Sequence, residues 1–285
     1  MGRRHFPTLL LYLLCMIEIS AQQNPGAKSI SLANADIALS NDAFSLFTNP
    51  SGFAQMNWME GGVFYSPSPF GMKELSNAFV AATIPTAYGS FGLGVSTYGF
   101  ELYKENKCVL AYANRYAKNF FYGASLSLNH LSIKNYGEDK TLAFSLGALY
   151  YITTDLRFAF SADNINKATW GKEKNQIPTV YRSGISYDVL PNVSLNAAIE
   201  SEVGFNPSLH CGINYDLNEY FSLRSGFANE PAKYSAGFGI NYSQFEIDYA
   251  IFTHQELGLT HQFTILFGLE SLENRAAKIR NYLGF

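Results

Sequence analysis

The residues of this chain with the capacity for chemistry are a scattered set of charged and polar side chains: Arg115, Arg157, Asp163, Arg182, Asp188, Glu200, His210, Asp216, Arg224, Glu246, Asp248 and Gln262. Each sits at an alternate position of a run that is otherwise apolar or small. A backbone of period two therefore puts them all on the face opposite the large apolar side chains. On such a face they either pair with one another or line a polar track for a solute, and the pattern leaves both readings open. Catalysis finds little support, because the sequence contains no Gly-x-Ser-x-Gly, His-Glu-x-x-His or Cys-x-x-Cys, so no residue is assigned a catalytic role. A membrane hydrolase gathered in space from Ser, His and Asp is the residual alternative. His130, His210, His254 and His261 follow no metal-ligand spacing, and neither a metal nor another cofactor is implied. Gly92-Leu93-Gly94 and Gly237-Phe238-Gly239 look like pieces of a phosphate loop, but no helix follows them. Glycine there relieves crowding or marks a kink.

The elements that must position these residues are strands. Leu142, Phe144, Leu146, Ala148, Tyr150 and Ile152 alternate with Ala143, Ser145, Gly147, Leu149 and Tyr151. After Thr153-Thr154-Asp155 the alternation restarts at Leu156. One face is rich in Phe, Tyr and Leu, and the other carries Gly, Ser, Ala and an occasional charge. In a soluble sandwich the second face would meet water and carry Lys, Glu and Thr. The observed pattern is that of a transmembrane antiparallel β-barrel, with lipid outside and a crowded polar lumen. An Arg facing mid-bilayer lipid would cost about 2–4 kcal/mol, which favours inward placement of the charges.

Composition agrees. Of 285 residues, 47% are hydrophobic, 15% aromatic and only 15% charged, against roughly a quarter charged in ordinary soluble domains. A net charge of -3 gives no electrostatic case for nucleic acid. Fourteen strands are predicted, over residues 58–66, 75–84, 89–100, 108–116, 120–133, 141–152, 156–165, 179–188, 193–201, 208–217, 220–227, 233–242, 245–252 and 258–269. Short connections alternate with mostly longer ones that carry Pro, Lys, Glu and Asn, as barrels with periplasmic turns and outer loops require. Both termini then fall on the periplasmic side.

Residues 1–21 read as a secretory leader, with basic Arg3, Arg4 and His5, an apolar stretch over 9–17 and Ile19-Ser20-Ala21 before Gln22. Cys15 follows Leu14 where lipoprotein processing wants a small residue, which disfavours lipidation. Cys108 and Cys211 lie on strands far apart in sequence, and nothing supports a disulfide between them. Residues 22–57 lack alternation. Two short helices fit there, with Asn41 or Asp42 capping the second and Asn49-Pro50-Ser51-Gly52 ending it. A segment of this kind before a first strand can fold back into the lumen as a plug.

The succession Gly26-Ala27-Lys28, Leu32-Ala33-Asn34-Ala35, Asp42-Ala43-Phe44 and Asn49-Pro50-Ser51-Gly52-Phe53-Ala54 resembles the N-terminal signature of the PorV/PorQ and FadL-type outer-membrane barrels. It departs from that signature at Lys28 (usually Arg), Asn34 (often Gly) and Ser51 (usually Ala). The resemblance implies an all-β barrel of about fourteen strands over residues 58–269, with a helical hatch over 22–57 to which Asp42, Phe44, Asn49, Pro50 and Gly52 belong. It also implies two functions. One is a non-transporting assembly or cargo-attachment component of a type IX-like secretion system. The other is a transporter of hydrophobic small molecules such as fatty acids or aromatic hydrocarbons, passing through the hatch and a lateral opening in the wall. Long apolar outer loops would suit greasy ligands, and only residues 166–178, with Lys167, Lys172, Glu173 and Lys174, form a sizeable loop. On that ground the sequence leans toward assembly, with lipid and periplasmic subunits as partners. The tail, residues 270–285, continues past the last strand. Leu272, Ala276, Ile279 and Leu283 recur at helical spacing beside Arg275, Lys278 and Arg280, which predicts an amphipathic periplasmic helix. Leu272, Ile279 and Leu283 are its candidate docking residues for a partner. Folding against the barrel rim or lying on lipid headgroups is the alternative.

Overall fold

The computed structural model describes residues 24–171, 175–254 and 257–285. The expected leader with Cys15, the start at Gln22, and Lys172, Glu173 and Lys174 of the longest loop lie outside the described residues.

Fourteen strands close an antiparallel barrel. They are β1 (Glu60–Ser66), β2 (Asn77–Thr86), β3 (Gly89–Phe100), β4 (Tyr103–Tyr116), β5 (Phe120–Ile133), β6 (Gly137–Tyr151), β7 (Leu156–Asp163), β10 (Val180–Leu190), β11 (Val193–Glu202), β12 (Ser208–Asp216), β13 (Phe221–Asn229), β14 (Ala232–Tyr242), β15 (Phe245–His254) and β16 (Gly258–Gly268). Two short strands, β8 (Thr169–Trp170) and β9 (Asn175–Gln176), pair as a separate small sheet in the connection between β7 and β10. The ring shuts where β1 meets β16, from Glu60 opposite Gly268 to Tyr65 opposite Phe263. Closure gives every strand a neighbour on both sides, which is why an antiparallel barrel can stand in lipid.

The period-two reading places the side chains correctly. Leu142, Phe144, Leu146 and Tyr150 stand outward and exposed, whereas Ala143, Gly147, Leu149 and Tyr151 turn inward and are buried. The inward face is not only small and polar, however. Phe64, Phe121, Leu149 and Tyr151 are buried there because the lumen holds an apolar filling. That filling comes from residues 24–58. It contains α1 (Ala27–Ser31) and α2 (Ser45–Thr48), with 3-10 turns at Asp36–Ala38 and Gly52–Gln55.

The connections need correction. Tyr103–Tyr116 and Gly137–Tyr151 begin earlier than predicted, so the long loops expected over 101–107 and 134–140 shrink to tight turns. Polar residues such as Lys104, Asn106, Glu138 and Lys140 belong to these strands, which rise past the apolar belt and keep pairing there. Backbone ladder bonds decide strand length, and a polar side chain above the belt does not interrupt them. Of the loops at that end, 67–76 and 164–179 are the long ones.

Ladder pairing is incomplete at one place. β6 and β7 pair only from Leu146 opposite Ala162 to Tyr151 opposite Arg157. The half of β6 from Gly137 to Ser145 therefore lacks a ladder partner on the β7 side, apart from one backbone bond from the Ile165 N–H to the Phe144 carbonyl at 2.9 Å. Residues that follow β7 cover this break, and Asn166 stands in for a strand. Its Oδ1 accepts from the Phe144 N–H at 2.9 Å, and its Nδ2 donates to the Leu142 carbonyl at 2.9 Å.

Candidate functional site: a plugged lumen and its outer cavity

The hatch is fixed by shape first. Gly123 and Gly147 face each other across β5 and β6. A Cβ at Gly147 would stand 2.2 Å from Asn49 Oδ1, and one at Gly123 would stand 2.5 Å from the Pro50 carbonyl. The two glycines thus make a notch that receives Asn49-Pro50-Ser51. Gly94 likewise lies under Leu46 and Phe47, and Gly237 under Ser31, so the glycines singled out in the sequence relieve lumenal crowding.

Within the hatch, Asn49 is fully buried. Its Nδ2 donates to the Ile37 carbonyl at 3.1 Å, and its Oδ1 accepts from Ser51 Oγ at 2.7 Å and Ser51 N at 3.2 Å. Gly52 lets the backbone pass Ser40, whose carbonyl would stand 2.5 Å from an added Cβ. Phe44 is buried over β1, beside Gly62. Asp42 accepts from the Phe44 N–H at 3.0 Å, so it orders the approach to α2 without capping the helix itself. Ala33 and Asn34 both take left-handed backbone, with φ of 53° and 64°. Asn tolerates that region better than most residues, which suits Asn34 to its backbone.

The lumenal charges separate into clusters. Near the loop end, Arg182 on β10 pairs with Asp163 on β7 and with Glu200 on β11, Nε to Oε2 at 2.6 Å. It also reaches Asn24 of the hatch at 3.4 Å. His210 Nδ1 donates to the Ala33 carbonyl, tying β12 to the same segment. At the turn end, Arg224 pairs with Asp248 and lies 3.6 Å from Glu246, while its Nε donates to Asn214 at 2.9 Å. Asn214 in turn donates to Asp216 at 3.0 Å. Arg157 meets Asp188 at 2.6 Å. Gln262 is buried on the inner wall. Arg115 does not join these clusters. It lies at the turn-end rim, where it donates to the Ala117 carbonyl at 2.9 Å and approaches the Leu283 carbonyl at 3.4 Å.

Two further residues complete the turn-end cluster. Glu60 on β1 accepts from the Ala43 N–H at 2.8 Å and from Trp58 Nε1 at 3.1 Å. Arg275 in the tail contacts Glu60 at 2.7 Å and Glu246 at 2.7 Å, and donates to the hatch carbonyl of Asn41 at 2.9 Å. Burial alone would lower the Arg275 pKa, but Glu60 and Glu246 raise it, so the guanidinium stays charged. A signal for Glu60 existed, since it is the one charge in its strand and in phase with inward Phe64. Arg275 was visible only as a flank of the helix.

The tail corrects the docking expectation. Helix α3 (Arg275–Leu283) folds back onto the barrel, and Leu272, Ile279 and Leu283 are 0%, 2% and 1% exposed within the same apolar core as Met56, Phe121 and Leu149. These three side chains are consumed by the barrel and present nothing to a partner.

Above the hatch, at the loop end, the lumen opens into a cavity of about 520 Å³. Ile30, Asn34 and Phe47 of the hatch form its floor, and Phe79, Tyr98, Trp170 and Phe252 supply aromatic walls. Phe47 and Phe79 meet edge to face, with ring centroids 5.1 Å apart. Lys107, Asn129, Arg182 and Glu200 give the cavity a polar side. Ala143, Ser145, Asn164 and Ile177 also line it, so it reaches the inner side of the covered break between β6 and β7. Sequence phase identified Arg182, Glu200 and His210, but the loop residues Trp170 and Ile177 carried no such signal.

No protein-family model and no curated protein matches the chain. Solved structures do. The CymD monoaromatic hydrocarbon channel superposes with a TM-score of 0.64 at 14% identity, over 88% of this chain and 98% of that one. The toluene transporter TbuX of Ralstonia pickettii gives 0.65 at 12% identity, over 86% and 98%. A FadL homologue from Pseudomonas aeruginosa gives 0.60 at 10% identity, over 87% and 97%. The first two are described as a hydrocarbon channel and a toluene transporter. None of the three is a PorV/PorQ protein, so the PorV/PorQ part of the resemblance finds no support among them. What the likeness establishes is architecture: this chain has the closed fourteen-strand fold of the FadL-like hydrocarbon-channel barrels.

Proposed function

We propose that the chain is an outer-membrane channel for small hydrophobic or amphipathic molecules, with residues 25–56 as its hatch and lipid as its surround. The observation that carries this reading is the aromatic-walled cavity above the hatch, whose volume of about 520 Å³ falls within the roughly 300–1,000 Å³ of small-molecule sites. A solute entering from the cell exterior loses water against Phe79, Tyr98 and Trp170. The packed hatch blocks its way straight down. The neighbouring break in the wall, covered by a loop rather than a strand, offers a sideways exit that severs few backbone bonds.

The test is uptake of radiolabelled toluene and of a long-chain fatty acid by cells producing the chain, beside Trp170→Ala and Phe79→Ala variants. Uptake above that of cells without the chain, reduced in both variants, is the expected result. Uptake no faster than in cells without the chain, for every solute tried, would overturn the reading.

A further inference from the structure

We infer that α3 is a bolt across the periplasmic mouth, a second seal distinct from the hatch. The strand order makes this geometric. Arg275, at the start of the helix, is held by Glu60 on β1 and Glu246 on β15, which flank β16. Arg280, one and a half turns later, is held by Asp188 on β10 at 2.5 Å and by Asp155 in the β6–β7 turn at 3.3 Å. In the ring of fourteen strands, β7 and β10 stand opposite β16. The helix is therefore pinned to opposite walls through its first residue and its sixth.

Arg275 and Arg280 lie about 7.5 Å apart along the helix axis at 1.5 Å per residue, and their long side chains extend that reach on either side. A third attachment lies beyond the last turn, where the Phe285 ring packs on Tyr151 of β6 with centroids 5.1 Å apart. Beneath the helix, Ile279 and Leu283 fill the mouth with apolar side chains. Water and ions would have to pass this layer even with the hatch displaced.

Arg275 also joins the tail to the hatch and to the two strands that flank β16, through Asn41, Glu60 on β1 and Glu246 on β15. Its fork supplies Nε and Nη2 to Glu246 while Nη1 serves Glu60 and Asn41. A lysine cannot reproduce that planar arrangement.

The experiment records ion conductance in planar bilayers, which needs no knowledge of the transported solute and so succeeds or fails independently of the transport reading. Because two seals in series hide one another, every protein in the comparison carries Gly147→Ala, which crowds Asn49 and loosens the hatch. That chain is compared with the same chain ending at Glu270 and with the same chain carrying Arg275→Ala/Arg280→Ala. With α3 intact the loosened chain is expected to be silent and both α3 variants to show discrete conductance steps, with Arg275→Lys resembling the alanine variant. Should the shortened chain fail to insert, the double variant decides alone. Its Leu283→Cys derivative should lose the protection from a water-soluble thiol reagent that Leu283→Cys has when Arg275 and Arg280 are present. Conductance already present with α3 intact, or α3 variants as silent and as protected as the chain that keeps both arginines, would overturn the proposal, because α3 would then seal nothing.

Discussion

Replacing Gly147 by alanine tests the notch that holds the hatch. The added Cβ would stand 2.2 Å from Asn49 Oδ1, 2.9 Å from Pro50 Cδ and 3.1 Å from Pro50 N. Asn49 cannot rotate aside cheaply, because its amide already serves Ile37 and Ser51. The backbone of the Asn49-Pro50 turn has to retreat instead. Overpacking of this kind costs about 1–3 kcal/mol. That cost falls on the state with the hatch seated, since the three atoms nearest the added methyl all belong to the hatch. A tenfold change per 1.4 kcal/mol then makes hatch release about 5- to 150-fold more frequent. The assay is the labelling rate of Ala35→Cys, a fully buried hatch position, in a background where exposed Cys108 and Cys211 are serine. Gly147→Ala should speed labelling by that factor. Ala124→Val, one residue from Gly123 but on the outward face, should leave it unchanged. Equal labelling in parent and Gly147→Ala, with both proteins inserted and heat-modifiable in detergent gels, would refute the idea that glycine at this notch seats the hatch.

Two other perturbations follow from the lumen and the wall. Arg182→Met leaves the carboxylates of Asp163 and Glu200 side by side without their cation, which should cost about 3–5 kcal/mol in denaturant unfolding from detergent; Arg182→Met/Asp163→Asn/Glu200→Gln should recover most of it, and a single variant as stable as the parent would contradict the pairing. Asn166→Ala removes both side-chain bonds that close the break beside β6, so the Phe144 amide should exchange with solvent faster while amides on the paired stretch from Leu146 to Tyr151 keep their protection.

What the sequence by itself determined about this protein is whatever depends on spacing along the strand. Alternation of period two is local. It therefore assigned Leu142, Phe144 and Leu146 to the outside and Arg157, Arg182, Arg224 and Asp248 to the lumen before any pairing was known. The short turns were legible for the same reason, as were the two small helices of the hatch. The tertiary structure alone decided which charges meet. Arg182 takes partners from both neighbouring strands, and Arg275 reaches three segments that are remote in sequence. Such partners follow from ladder register and ring closure, and no residue encodes them by its own neighbours. The break between β6 and β7 was equally hidden, because Leu142 to Ser145 keep the alternation of the stretch from Leu146 to Tyr151 although no β7 residue pairs with them. The fate of the tail shows the limit most directly. An amphipathic helix predicts that one face must be covered, but the same pattern suits a partner, a membrane surface or the protein itself. For α3 the cover is the mouth of its own barrel, which exists only after fourteen strands have closed.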